Sequence, residues 1–223
     1  IGSTYAGSDL SMLRRIDTVW IVVGGCFLVT VCSSLVMWSF GVFFPAVQAD
    51  LGGSRSAVSS VYTMLIAANA SASMLTGKLS DKGHAGIVLQ FAIIVGTGAI
   101  ALCSTAQSLT QLALFLAAVG LATGSTLPAA FSAVQRVFHT RQHAGLALAI
   151  VSSGIGLGAL VFTPMLNHLI LMIGWRNAFL AASAMFFTLL TFAWAAIRHG
   201  RALRLRDKPA RHGSREALPS AIS

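Results

Sequence analysis

Long apolar runs dominate the chain, and short polar breaks interrupt them. A helix that crosses the hydrocarbon core of a bilayer needs about 20 mostly apolar residues. Six stretches meet that length: 18–47, 55–79, 85–103, 109–138, 144–173 and 175–197. Each break has a local cause. Gly52-Gly53 ends the first run, and Ser54 is placed to cap the second. Asp81-Lys82-Gly83-His84, Gln107-Ser108 and the segment from His139 to His143 give the next three breaks, and Gly174 alone gives the last. The predicted fold class is therefore an all-α membrane protein with six transmembrane helices. Its domains are an N-terminal segment (1–16), a six-helix bundle (17–197) and a basic tail or linker (198–223).

The charges fit this pattern. Arg14, Arg15, Lys78, Lys82, Arg136, Arg141 and the seven basic residues of the tail would share one side, leaving Arg55 and Arg176 on the other. Such asymmetry marks the cytoplasmic face, so both termini are expected in the cytoplasm of a multi-pass protein of the inner (plasma) membrane. The carboxylates Asp9, Asp17, Asp50, Asp81, Asp207 and Glu216 all fall at ends or in loops, so no proton-relay acid sits at membrane depth.

Composition narrows the classes further. Of 223 residues, 56% are hydrophobic and 9% charged, with mean hydropathy +0.79, far too apolar for a water-soluble domain. The net charge of +9 lies at span ends and in the tail, without the polar face interleaved with aromatics that a nucleic-acid site needs. Cys26, Cys32 and Cys103 all lie inside apolar runs. They have no metal-ligand spacing and read as small packing residues. No cofactor or metal is expected, and no enzyme. An intramembrane serine protease would need a G-x-S-G nucleophile, but Ser153-Gly154 follows Val151-Ser152. The run Ser153-Gly-Ile-Gly-Leu-Gly158 has no preceding strand, so it is no phosphate loop. Its glycines are expected to admit close packing on both sides.

One motif occurs twice. Gly41-x-x-x-Pro45-Ala46 in the first run matches Gly124-x-x-x-Pro128-Ala129 in the fourth, and the two spans run in opposite directions. That predicts three helices followed by three inverted ones, the 3+3 repeat found in many carriers.

The 77–84 loop reads Gly77-Lys-Leu-Ser-Asp81-Lys82-Gly83-His84, which resembles the loop motif of the major facilitator superfamily at Gly77, Asp81 and Lys82. Gly83 comes one residue early, and His84-Ala85 stand where basic residues are usual. Gly120, Gly124, Pro128-Ala129, Arg136, Arg141, Gly145-Leu146-Ala147, Gly154 through Gly158 and Gly174-Trp175-Arg176 resemble the branch of monocarboxylate transporters and oxalate–formate exchangers. The resemblance implies the N-terminal half of a twelve-helix secondary transporter for a small organic anion, with proton coupling as one option. Its partners would be the lipid bilayer and either a C-terminal six-helix half or a second copy. A truncated, non-transporting assembly partner is the alternative.

Within this frame Tyr62, Ile66, Asn69 and Ser73 share one helix face, which either lines a cavity or supplies inter-helix hydrogen bonds. Trp38 faces cavity or lipid. Thr126 and Ser125 either touch substrate or satisfy the backbone freed by Pro128. Asp81 is placed to accept from N–H groups at the start of the third helix. Arg136 anchors the interface or attracts an anion. Gly77, Asp81, Lys82, Arg136, Arg141, Gly41, Pro45, Gly124, Pro128, Gly154 and Gly158 form the gating and packing set.

Overall fold

The computed structural model describes residues 3–138 and 144–206, with side-chain environments from 19 to 138 and from 144 to 200. Arg141, His139, His143 and most of the basic tail lie outside these residues. All elements are helical: α1 (Ser3–Met37), α2 (Phe40–Leu51), α3 (Arg55–Leu79), a π-helical turn (Ser80–His84), α4 (Ala85–Cys103), α5 (Leu109–Val137) and α6 (Ala144–Arg206).

Four stretches are long and apolar enough to cross a membrane: Val19–Leu51, Arg55–Cys103, Leu109–Val137 and Ala144–Gly200. Two of them are too long for a single crossing. At 49 and 57 residues, they would exceed a hydrocarbon core of about 30 Å more than twofold if straight. Each contains one non-helical glycine, Gly83 (φ 103°) or Gly174 (φ 80°). Positive φ costs a residue with a Cβ, so glycine is the residue that permits both kinks. The first arm of α6 thus covers 144–173 and the second begins at 175.

The expected first helix is instead two. Trp38 and Ser39 separate α1 from α2. The Trp38 N–H still reaches the Ser34 carbonyl (3.2 Å), and Val42 N–H reaches Ser39 (3.1 Å), so the chain bends without unravelling. Capping sets two other starts. Ser54 Oγ accepts from Ala57 N–H and Ser108 Oγ from Gln111 N–H, both at 3.2 Å.

The bundle packs α1 on α6, α3 on α5, and α4 across both α5 and α6. Phe40, Phe43, Phe179, Phe186, Leu65, Leu112 and Leu116 fill its interior. The outside is equally apolar: Met74 is 79% exposed, Leu171 76% and Ile94 74%. Apolar surface on this scale belongs against lipid or a partner, not water.

Candidate functional site

Two seams, built alike, are bridged by polar residues of the bundle. In the first, α1 meets the early arm of α6. Thr30 Oγ1 donates to the Val151 carbonyl (2.6 Å) and Ser34 Oγ to the Ile155 carbonyl (2.9 Å). The close approach depends on Gly154 and Gly158, where a Cβ would run into Thr30 and the Phe27 carbonyl, or into Val31 and Ser34. In the second, α3 meets α5. Asn69 Nδ2 donates to Thr123 Oγ1 (3.0 Å), and Ser73 Oγ donates to the Gly124 carbonyl (2.8 Å). Here Gly120 and Gly124 provide the room, facing the Leu65 carbonyl and the Asn69 main chain. In each seam, small residues four apart admit a neighbouring backbone, and polar side chains four apart bond to the opposite helix.

Asn69 and Ser73 therefore sit in a helix seam. The Gly124 carbonyl is the one that Pro128 deprives of its helical partner, and Ser73 supplies the replacement. Ser125 and Thr126, the expected donors, bond instead to the Ala122 and Thr123 carbonyls (2.6 Å each), and both are buried. The glycine run packs on one side only. A Cβ on Gly156, between Gly154 and Gly158, would meet nothing within 4 Å among the described residues.

Tyr62 and Trp38 are placed differently. The last carbonyls of a helix lack intrahelical partners. Tyr62 Oη satisfies one of them at the α1 end, donating to the Met37 carbonyl (2.9 Å), and its ring stacks on Phe40 at 5.4 Å. Next to that carbonyl, Trp38 is 55% exposed. Gly41 and Pro45 follow on exposed positions of α2, and a Cβ on Gly41 would meet nothing within 4 Å. Ser39 Oγ lies 3.3 Å from Thr163 Oγ1, tying the break to α6. The α1–α2 break thus presents an exposed indole, and a glycine with space above it among the described residues, beside a phenol.

Arginines tie turns at both ends of the bundle, the first of them from α5. At its C-terminal end the Arg136 guanidinium donates to the carbonyls of Ser80 (3.1 Å) and Asp81, and Ser132 Oγ donates to Ser80 (3.2 Å). Asp81 enters through its main chain. The α4 start at His84 has no side-chain cap bond, so the expected capping role of the Asp81 carboxylate does not form. Lys82 is exposed, and Gly77 has open space above it. At the opposite end Arg176 pairs with Asp50, donates to the Ala106 carbonyl (3.2 Å) and lies 4.4 Å over the Trp175 ring. Trp175 Nε1 also donates to Asp50 (3.2 Å). Sequence reasoning missed Thr30, Ser34 and this Asp50 cluster. The i, i+4 spacing of Thr30 and Ser34, equal to that of Gly154 and Gly158, was the available signal.

Among the described residues, no group of His, Cys, Asp and Glu is arranged to hold a metal. Cys26, Cys32 and Cys103 are buried, and Cys32 donates weakly to the Phe186 carbonyl. The interior offers hydroxyls, amides and aromatic rings, a set suited to packing and neutral hydrogen bonding.

The family model for the Major Facilitator Superfamily matches residues 26–222. Monocarboxylate transporter 12 of Mus musculus is 31% identical over 164 residues, covering 72% of this chain and 33% of that protein. Monocarboxylate transporter 13 of Rattus norvegicus is 31% identical over 171 residues, covering 74% of this chain and 39% of that protein. A 4-hydroxybenzoate transporter of Acinetobacter baylyi is 24% identical over 161 residues, covering 72% and 35%. The match thus spans between 33% and 39% of the length of these curated relatives.

Proposed function

The chain belongs to the major facilitator superfamily, close to its monocarboxylate transporters, and we propose that it forms the N-terminal six-helix half of a secondary carrier that moves a small organic anion by alternating access. Dividing the two overlong stretches at Gly83 and Gly174 gives six rods in two triplets. The single observation that carries the reading is how these triplets grip each other. The end of the fourth rod, at Arg136, holds the turn between the second and third. The end of the first, at Asp50, holds the turn between the fifth and sixth. The seams pair in the same way, first rod on fifth and fourth on second. Both exchanges are what an inverted 3+3 repeat requires.

The exposed surface of α3 carries Ser59, Ser60, Thr63 and Ser71 beside Met64, Ile66, Met74 and Leu75, whereas that of α4 carries Ile87, Phe91, Ile94 and Leu102. The α4 face suits lipid, and the mixed α3 face is assigned to a second six-helix half or a second copy. Substrate contact is assigned to Trp38 and Tyr62 at the α1–α2 break, since broken helices supply open backbone where carriers bind cargo. Asn69, Ser73 and Thr126 form the wall behind them. Gly77, Asp81, Lys82 and Arg136 act at the gate of the basic end. The relatives named for monocarboxylate and for 4-hydroxybenzoate both point to a substrate with one carboxylate. Its cationic partner is assigned to the other half, as is any proton-coupling acid. Both termini are assigned to the cytoplasm and the bundle to the plasma (inner) membrane.

Single cysteines placed at Ser54, Thr105 and Lys82 test the layout with a membrane-impermeant thiol reagent in intact cells. Labelling at 54 and 105, with 82 reacting only after permeabilisation, is expected. Labelling at 82 from outside would remove the six-span arrangement. In liposomes, residues 1–223 alone are expected to take up no labelled lactate. Robust uptake would replace the half-carrier with a homodimer.

A further inference from the structure

A groove of about 270 Å³ opens on the outside of the bundle, between the start of α4 and the late arm of α6. Gly86, Ile87 and Gln90 line one wall, and Trp194, Ile197 and Arg198 the other. It lies far from the α1–α2 break in sequence and uses none of the residues assigned to transport. Ile197 and Leu89 are buried and close its floor, while Ile87 is 61% exposed at its rim. Among the described residues, a Cβ on Gly86 would meet nothing within 4 Å, so they leave that side open.

Its chemistry changes along its length. At the mouth the Arg198 guanidinium lies 5.2 Å over the Trp194 ring, and Gln90 is exposed on the facing helix one turn further in than Gly86. The remaining lining is apolar. None of the lining residues is acidic. Arg198 opens the polar run Arg198-His199-Gly200-Arg201 that follows the apolar stretch, and Gly86 is two residues past the Ser80–His84 turn. The mouth of the groove is therefore at the headgroup level of the basic end of the bundle. Trp and Arg concentrate at that depth, and basic pockets between membrane helices receive acidic headgroups.

We propose that this groove binds one anionic phospholipid of the surrounding leaflet. The phosphate meets Arg198 at the mouth, an ester carbonyl accepts from the Gln90 amide one turn deeper, and the acyl chains continue over the exposed apolar face of α4. Resting on Trp194 holds the guanidinium at the mouth before lipid arrives, so less side-chain freedom is lost on binding. The apolar floor excludes free inorganic phosphate as the occupant, because its remaining charge would be left without partners.

Native mass spectrometry of the full chain, released from detergent mixed with phosphatidylglycerol or phosphatidylcholine, tests this. One phosphatidylglycerol is expected to remain bound preferentially. Arg198→Gln is expected to reduce that adduct about fivefold, the effect of one basic residue near an anionic surface. Lys78→Gln is expected to leave it unchanged. Gly86→Leu fills the groove and keeps every charge, so it should remove the same adduct, and circular dichroism of both variants confirms their folding. An adduct indifferent to Arg198→Gln and Gly86→Leu would overturn the proposal. So would equal retention of phosphatidylcholine, or displacement of the lipid by millimolar inorganic phosphate.

Discussion

Gly41 and Gly124 occupy the same place in one repeated motif but meet different surroundings. Gly41 faces open space, whereas Gly124 lies against the Asn69 main chain. The sequence pattern located both positions and the proline four residues on, but a repeat in sequence does not record what packs against each copy. The two should respond differently to bulk. Gly124→Leu is expected to destabilise the protein by about 1–3 kcal/mol through overpacking. Gly41→Leu should stay within about 0.5 kcal/mol, as exposed substitutions do. Thermal unfolding in detergent, followed by circular dichroism, separates them. Ser73→Ala removes one inter-helix bond and should cost about 0.6 kcal/mol, the average for such bonds in a membrane bundle. The face of α3 holding Asn69 and Ser73 was legible from spacing. Its role was not, because lining a cavity and bridging to α5 use the same residue types at the same intervals.

Among the elements, the kinks at Gly83 and Gly174 were legible because glycine marks them. The break at Trp38-Ser39 was not, since neither residue disfavours a helix strongly. Contacts from distant segments hold it: Tyr62 to the Met37 carbonyl and Thr163 to Ser39. Tyr62→Phe leaves that carbonyl without its partner while keeping the stack on Phe40, and is expected to cost about 1 kcal/mol. The two kinks can be told apart by substitution. Gly174→Ala meets no neighbour within 4 Å among the described residues, so its expected cost is the backbone strain alone, about 1–3 kcal/mol at φ 80° and ψ 160°. Gly83→Ala is strained at φ 103° and ψ 0° and also sets a Cβ 3.0 Å from Arg136 Nη1. Only its cost should couple to Arg136→Ala, through the steric part. Denaturant titration of the three single variants and of each glycine variant combined with Arg136→Ala checks this.

For the molecule as a whole, apolar content and the placement of basic residues identified a multi-pass membrane protein from the sequence. The Asp50–Arg176–Trp175 cluster was out of reach, because Asp50 is more than a hundred residues from the other two and meets them only when α2, the α4–α5 loop and α6 come together. Both charged side chains are about half exposed, so the pair itself should add less than about 1 kcal/mol. Its effect should be positional. Asp50→Arg places like charges together and is expected to raise labelling of an Ala106→Cys reporter by an impermeant thiol reagent, whereas Asp50→Asn should raise it only slightly. Unchanged labelling in Asp50→Arg would leave the cluster without a closing role. The arginine contacts also constrain how the molecule deforms. They bond the Ser80–Asp81 turn at one end of the bundle and the α4–α5 loop at the other, and glycine-lined seams hold the helices between them. Fastened at both ends and along two seams, the bundle is expected to move as one body in any large motion. A disulfide engineered across the Thr30–Val151 seam should then leave such motion intact.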